Sequence, residues 1–83
     1  VVSMTKQEIQ EKVTQVVCQQ LQVDVQQVQP NSRFVDDLGA DSLDLTELVV
    51  AFEDAFDLEI PDADFDALST VSNVVEYLSQ RLA

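Results

Sequence analysis

Leu38-Gly39-Ala40-Asp41-Ser42-Leu43-Asp44 is the stretch whose reading decides the fold. Gly39 lets the backbone turn without a Cβ penalty. Asp41 or Ser42 can cap a helix by accepting a hydrogen bond from one of its orphan N–H groups. From Ser42 onward, Leu45, Leu48, Val49, Phe52 and Phe56 recur at helical spacing, one apolar stripe over 42–56. A loop therefore becomes a helix at this point. The Ser42 hydroxyl is expected at a helix N-terminus on the surface. Backbone N–H groups and the positive end of the helix dipole favour a phosphate there. Capping and offering a free hydroxyl are competing roles for that one residue.

The same helix carries a second stripe. Leu43, Glu47, Val50 and Asp54 lie on its far face. A purely solvated face has no need of Leu43 and Val50, so two apolar residues framed by carboxylates suggest a docking surface.

The stretch Phe56-Asp57-Leu58-Glu59-Ile60-Pro61 ends this helix, because Pro61 disfavours helix at Ile60. Asp62 to Leu68 then predicts a short third helix with acids at its N-terminus. Ser69-Thr70 offers a cap for a fourth helix over 70–82, with Val71, Val74, Val75, Leu78 and Leu82 as its stripe.

Upstream, Thr5-Lys6-Gln7-Glu8 has the form of a capping box. Ile9, Val13, Val16, Val17 and Leu21 follow at helical spacing and predict a first helix over 5–21. Gln20 falls on the same face, so its amide is expected to be hydrogen-bonded. Cys18 falls away from the centre of that face, with no base or cation in view to activate it. Residues 22–41 form a long connection, which must pack down to belong to a small domain. Val23, Val25, Val28, Phe34, Val35 and Leu38 are its available anchors, and Gln29 to Ser32 reads as a turn. The expected fold is all-α: a four-helix bundle of three longer helices and one short one, with a long ordered loop between the first and second. Residues 1–83 are read as one domain, with 1–4 as a loose N-terminal end.

Composition excludes several functions. Sixteen acids against four bases give a formal net charge of −12. Nucleic-acid binding needs a basic footprint, and anionic membrane surfaces repel such a chain. A basic protein partner is the natural counterpart. Glu8, Glu11 and Asp24 are the only acids in residues 1–35, so the negative field gathers around Ser42 and beyond it. With no His, a His-based triad and a His-bearing zinc site are both excluded. A single Cys cannot form an internal disulfide. No stretch reads as a signal peptide or a transmembrane run, and a reducing cytoplasm fits best. Asp62-x-Asp64-x-Asp66 opens like a calcium loop but continues with Ala67 and Asn73 where Gly and Glu are required. No specific metal site is expected.

At Asp41-Ser42-Leu43, with Gly39 before it and Glu59-Ile60-Pro61-Asp62 after the next helix, the chain resembles the acyl carrier protein family. The resemblance runs from about Thr5 to Leu82. It implies a 4′-phosphopantetheine arm on Ser42, donated by coenzyme A through a phosphopantetheinyl transferase that uses magnesium. Asp41 and Leu43 flank that position as motif neighbours. The arm's thiol would carry acyl groups as thioesters in fatty-acid or polyketide synthesis.

Partners implied by the resemblance are the transferase and synthase, transacylase and reductase-type enzymes with basic docking patches. They would meet a monomer at Leu43, Asp44, Glu47, Val50, Glu53, Asp54 and Ile60. Thr46 stands where the family commonly has an aliphatic residue, a departure that bears on partner choice. A sheltering space between the second and third helices would be lined by Leu48, Phe52, Ile60, Phe65 and Leu68, unless these simply fill the core. The alternatives are an acidic interaction module without an arm and a nonribosomal peptide carrier. A self-sufficient enzyme is disfavoured, since a serine hydroxyl needs a base and none is visible beside Ser42.

Overall fold

Helix α1 (Lys6–Leu21) is followed by a 3-10 turn (Val25–Gln27), α2 (Ser42–Phe56), a 3-10 helix (Asp62–Ala67) and α3 (Val71–Leu82). This computed structural model describes residues 4–82. Of the loose end expected at 1–4, residues 1–3 lie outside the described residues, and Met4 is corrected: it packs against the core. Helix α1 packs against both α2 and α3.

The capping box that opens α1 is present. The Thr5 hydroxyl accepts the Glu8 N–H at 3.1 Å, and the Glu8 carboxylate accepts the Thr5 N–H at 2.8 Å. The Thr5 N–H, and then the Thr5 side chain, hold the Glu8 carboxyl below its ordinary value of 4.5. Ile9, Val13 and Val17 are buried on α1, Leu48, Val49, Phe52 and Phe56 on α2, and Val71, Val74, Val75 and Leu78 on α3. The three predicted stripes thus meet in one core.

Gln20 departs from expectation: it is exposed. Leu21, four residues beyond Val17, is the residue of the last turn that packs on the core. The chain leaves the helix immediately afterwards, with Gln22 in a left-handed conformation at φ 55°. Cys18 is a free thiol packed at the margin of the core.

The long connection does pack down, on fewer anchors than expected. Val28 and Phe34 are buried, and Val23 and Leu38 are partly covered. Val25 and Val35 are exposed instead. Val25 opens a short 3-10 turn whose neighbour Val28 takes the buried position. The turn at 29–32 is closed by the Ser32 N–H donating to the Gln29 carbonyl. Ser32 is buried, and its hydroxyl donates to the Gln27 carbonyl while accepting the Gln29 N–H. This satisfies a polar group that burial would otherwise penalise.

The loop also serves α3. The Val71 and Ser72 N–H groups donate to the Ser32 and Pro30 carbonyls, and the Thr70 hydroxyl accepts the Asn73 N–H. Orphan donors of the α3 first turn are therefore met by the loop and by the predicted cap. The Phe34 N–H donates to the Ser69 carbonyl, beside an isolated bridge between Arg33 and Thr70.

The short third helix is present but is 3-10, over Asp62–Ala67. Its neighbours Ile60 and Leu68 are both buried. A 3-10 coil rises about 2.0 Å per residue against about 1.5 Å in an α-helix, so the few residues between those anchors reach further. Pro61, with φ −61° and ψ 148°, sets the extended entry.

Candidate functional site

The start of α2 is built by the turn before it. Gly39 takes φ 74°, a left-handed conformation that glycine adopts freely. Its N–H donates to the Val35 carbonyl, and the Ala40 N–H donates to the Phe34 carbonyl at 2.8 Å. Ala40 is buried, which anchors the turn and presents Asp41 at the N-cap in extended conformation.

Asp41, not Ser42, is the cap. Its carboxylate accepts the Asp44 N–H at 2.8 Å, and the Asp44 carboxylate accepts the Asp41 N–H at 3.2 Å. Ser42 is the first residue of the helix and is exposed. Among the described residues its hydroxyl has no hydrogen-bond partner; its carbonyl accepts the Thr46 hydroxyl at 3.0 Å. The Leu45 N–H is taken by the Asp41 carbonyl. With Asp44 and Leu45 committed, Ser42 and Leu43 hold the open N–H groups of the first turn. A free hydroxyl beside two free N–H donors suits the linkage of a phosphodiester.

The far face of α2 is as expected for four of its residues. Leu43 is 65% exposed and Val50 49%, with Glu47 and Asp54 exposed on the same side. The other three proposed docking residues have other work. Asp44 closes the cap. Glu53 is half-buried, and its carboxylate accepts the Ile60 N–H at 2.7 Å, fastening the loop after α2. Ile60 is corrected outright: at 4% exposure it belongs to the core and cannot meet a partner. The bend at Pro61 turns its side chain inward, which the sequence stretch alone did not reveal.

An open groove lies beside this site. Phe34, Val35, Leu45, Phe65 and Leu68 line it, with Arg33, Asp36, Asp66, Ser69 and Thr70 also at its surface. Leu45 is one turn beyond Ser42. Of the residues expected around a sheltering space, Leu48, Phe52 and Ile60 are fully packed in the core. Only Phe65 and Leu68 reach the groove; Phe34, Val35 and Leu45 were missed. Asp41 was one of the two candidate caps; the return bond from the Asp41 N–H to the Asp44 carboxylate, at the spacing of a capping box, was missed.

Among the described residues, no helix is long and apolar enough to cross a membrane. Residues 11–78 match a family model described as a phosphopantetheine attachment site. That span holds the cap, the exposed serine, the far face of α2 and the groove, and the chain belongs to this family of phosphopantetheine carriers, the one to which its Asp-Ser-Leu motif points.

Proposed function

We propose that Ser42 bears the 4′-phosphopantetheine arm and that the chain is an acyl carrier in fatty-acid or polyketide synthesis. The observation that carries this reading is the free, exposed Ser42 hydroxyl at a helix start already capped by Asp41. Attachment therefore takes nothing from the helix. The open N–H groups of Ser42 and Leu43 would be the donors available to the phosphodiester.

Ser42 is a substrate, not a self-activated nucleophile. The amine of Lys6 is paired with Glu76 at 2.7 Å, and Lys12 lies over the Phe56 ring. With no His in the chain, the base must come from the modifying enzyme. On that enzyme the Ser42 oxygen bonds to the pantetheine-bearing phosphorus of coenzyme A, the diphosphate P–O bond breaks to release adenosine 3′,5′-bisphosphate, and the hydroxyl proton passes to the enzyme's base. The arm, once bound, supplies a thiol that holds acyl groups as thioesters. The protein supplies the anchor and an address: Leu43 and Val50 as apolar contacts, Glu47 and Asp54 as charges that steer a basic partner. A nonribosomal peptide carrier is the other reading; the sequence of α2 favours the acyl group.

Mass measurement after incubation with coenzyme A and a phosphopantetheinyl transferase tests the assignment. The wild type gains one arm and Ser42→Ala gains none. A gain in the Ser42→Ala chain would move the attachment elsewhere. The thioester recovered from protein of the native cell distinguishes acyl from aminoacyl cargo.

A further inference from the structure

The 62–67 segment is fastened differently from the rest of the fold. None of its own residues is buried, whereas Ile60 and Leu68 at its two ends are. It is a strap pinned at both ends, touching the core in between only through the partly covered Phe65. Phe65, near its centre, is half-buried and forms a wall of the groove beside Leu45.

Two ties from α3 hold this strap and its approach. The Tyr77 hydroxyl donates to the Asp64 carboxylate at 2.6 Å. The Arg81 guanidinium donates to the Glu59 carbonyl at 3.0 Å and lies 5.3 Å from the centre of the Tyr77 ring. Tyr77 and Arg81 are one helical turn apart, so one guanidinium braces both the ring and the strap's approach. Neither tie belongs to the core, and neither touches the Ser42 end of α2.

We propose that Tyr77 and Arg81 form a latch on the 62–67 strap, whose release lifts Phe65 from the groove while the three α-helices stay packed. The tie to Asp64 is charge-assisted and short, the stronger class of hydrogen bond. Removing it frees the middle of the strap; Ile60 and Leu68 keep its ends in place. Tyr77 and Arg81 are then positioning residues, setting how widely the groove opens one turn from Ser42. The consequence for cargo rests on the carrier reading. The latch does not, because its test uses the unmodified chain.

Amide hydrogen exchange on the wild type, Tyr77→Phe and Arg81→Met reads the strap directly. The reporting amides are Asp64, bonded to the Pro61 carbonyl, and Leu68, bonded to the Phe65 carbonyl. In Tyr77→Phe both exchange about tenfold faster, as local opening without global unfolding demands. Amides of Val13, Leu48 and Leu78 keep their rates. Arg81→Met, a surface change that retains the side-chain stem, accelerates the same pair and decides the matter if Tyr77→Phe does not fold. Unchanged rates at Asp64 and Leu68, or equal acceleration across all helices, overturn the latch.

Discussion

The Asp41 and Asp44 carboxylates each accept the other's backbone N–H, at 2.8 and 3.2 Å, and so close the start of α2 without using Ser42. On the proposed reading, stability and modification are thereby divided between adjacent residues. Asp41→Ala is expected to lose about 1 kcal/mol, the usual cost of an N-cap. Ser42→Ala is expected to stay within about 0.5 kcal/mol of the wild type, as an exposed change away from the cap, while losing the arm. Urea unfolding of both variants measures this. A Ser42→Ala penalty as large as that of Asp41→Ala would return the capping role to the serine.

Glu47 and Glu53 sit on one helix with different duties. Glu47 is exposed and, among the described residues, has no side-chain bond, whereas Glu53 holds the Ile60 N–H. Glu47→Lys should leave stability nearly unchanged and slow loading by a basic transferase roughly tenfold at low salt. The gap should narrow as salt rises, because screening weakens steering between exposed charges. Glu53→Ala should do the reverse: loading per folded molecule changes little, but stability falls by roughly 1–2 kcal/mol as a partly buried N–H loses its partner. Loading rates across a salt series, set beside unfolding midpoints, separate the two. Equal behaviour of both variants would dissolve the distinction.

What was legible in the chain follows from range. The three α-helices were readable because caps and stripes are local: Thr5 with Glu8, Thr70 with Asn73, and apolar residues three and four apart. The Ser42 position was readable for the same reason. Ile60 was read both as a docking residue and as one that fills the core, and only the second holds, because its burial depends on a bend that carries it under Glu53. Val25 and Val35 were not readable, because in a loop an apolar side chain has no periodicity to say which way it faces. The groove brings residues 33–36 and 65–70 to Leu45, and the Tyr77–Asp64 tie crosses between elements. Such pairings form only after the helices have packed, so no window of sequence contains them.

Asp57 ends α2 at φ 54° and ψ 54°, a left-handed conformation in a residue with a Cβ, and it is exposed. It also places a negative charge at the negative end of the helix dipole. Asp57→Gly should stabilise the fold by about 0.5–1 kcal/mol, the strain relieved exceeding the entropy added to the unfolded chain. Asp57→Asn removes the charge and keeps a side chain that tolerates this conformation, so it should recover part of the gain. Thermal or urea unfolding ranks the three. Destabilisation by glycine would mean that the Asp57 side chain has a stabilising role its exposure does not reveal.

Tyr77 is the only tyrosine in the chain, so phenolate absorbance reports it alone. Burial, then the bond to Asp64, raises its pKa above the ordinary value of 10.0, while Arg81 works in the opposite direction. The fold therefore prefers the neutral phenol. The stabilisation linked to this is fully present below 10.0, and it is lost as pH rises through the higher folded value. Asp64→Asn removes the charge and weakens the bond, so the titration should move back toward 10.0 without reaching it, since burial remains. Arg81→Met should move it further up. Opposite displacements from two residues that meet one phenol are hard to obtain from general loosening of the fold, which would draw both variants toward 10.0. Coincident titrations for the wild type and Asp64→Asn would show that the phenol does not sense the strap at all.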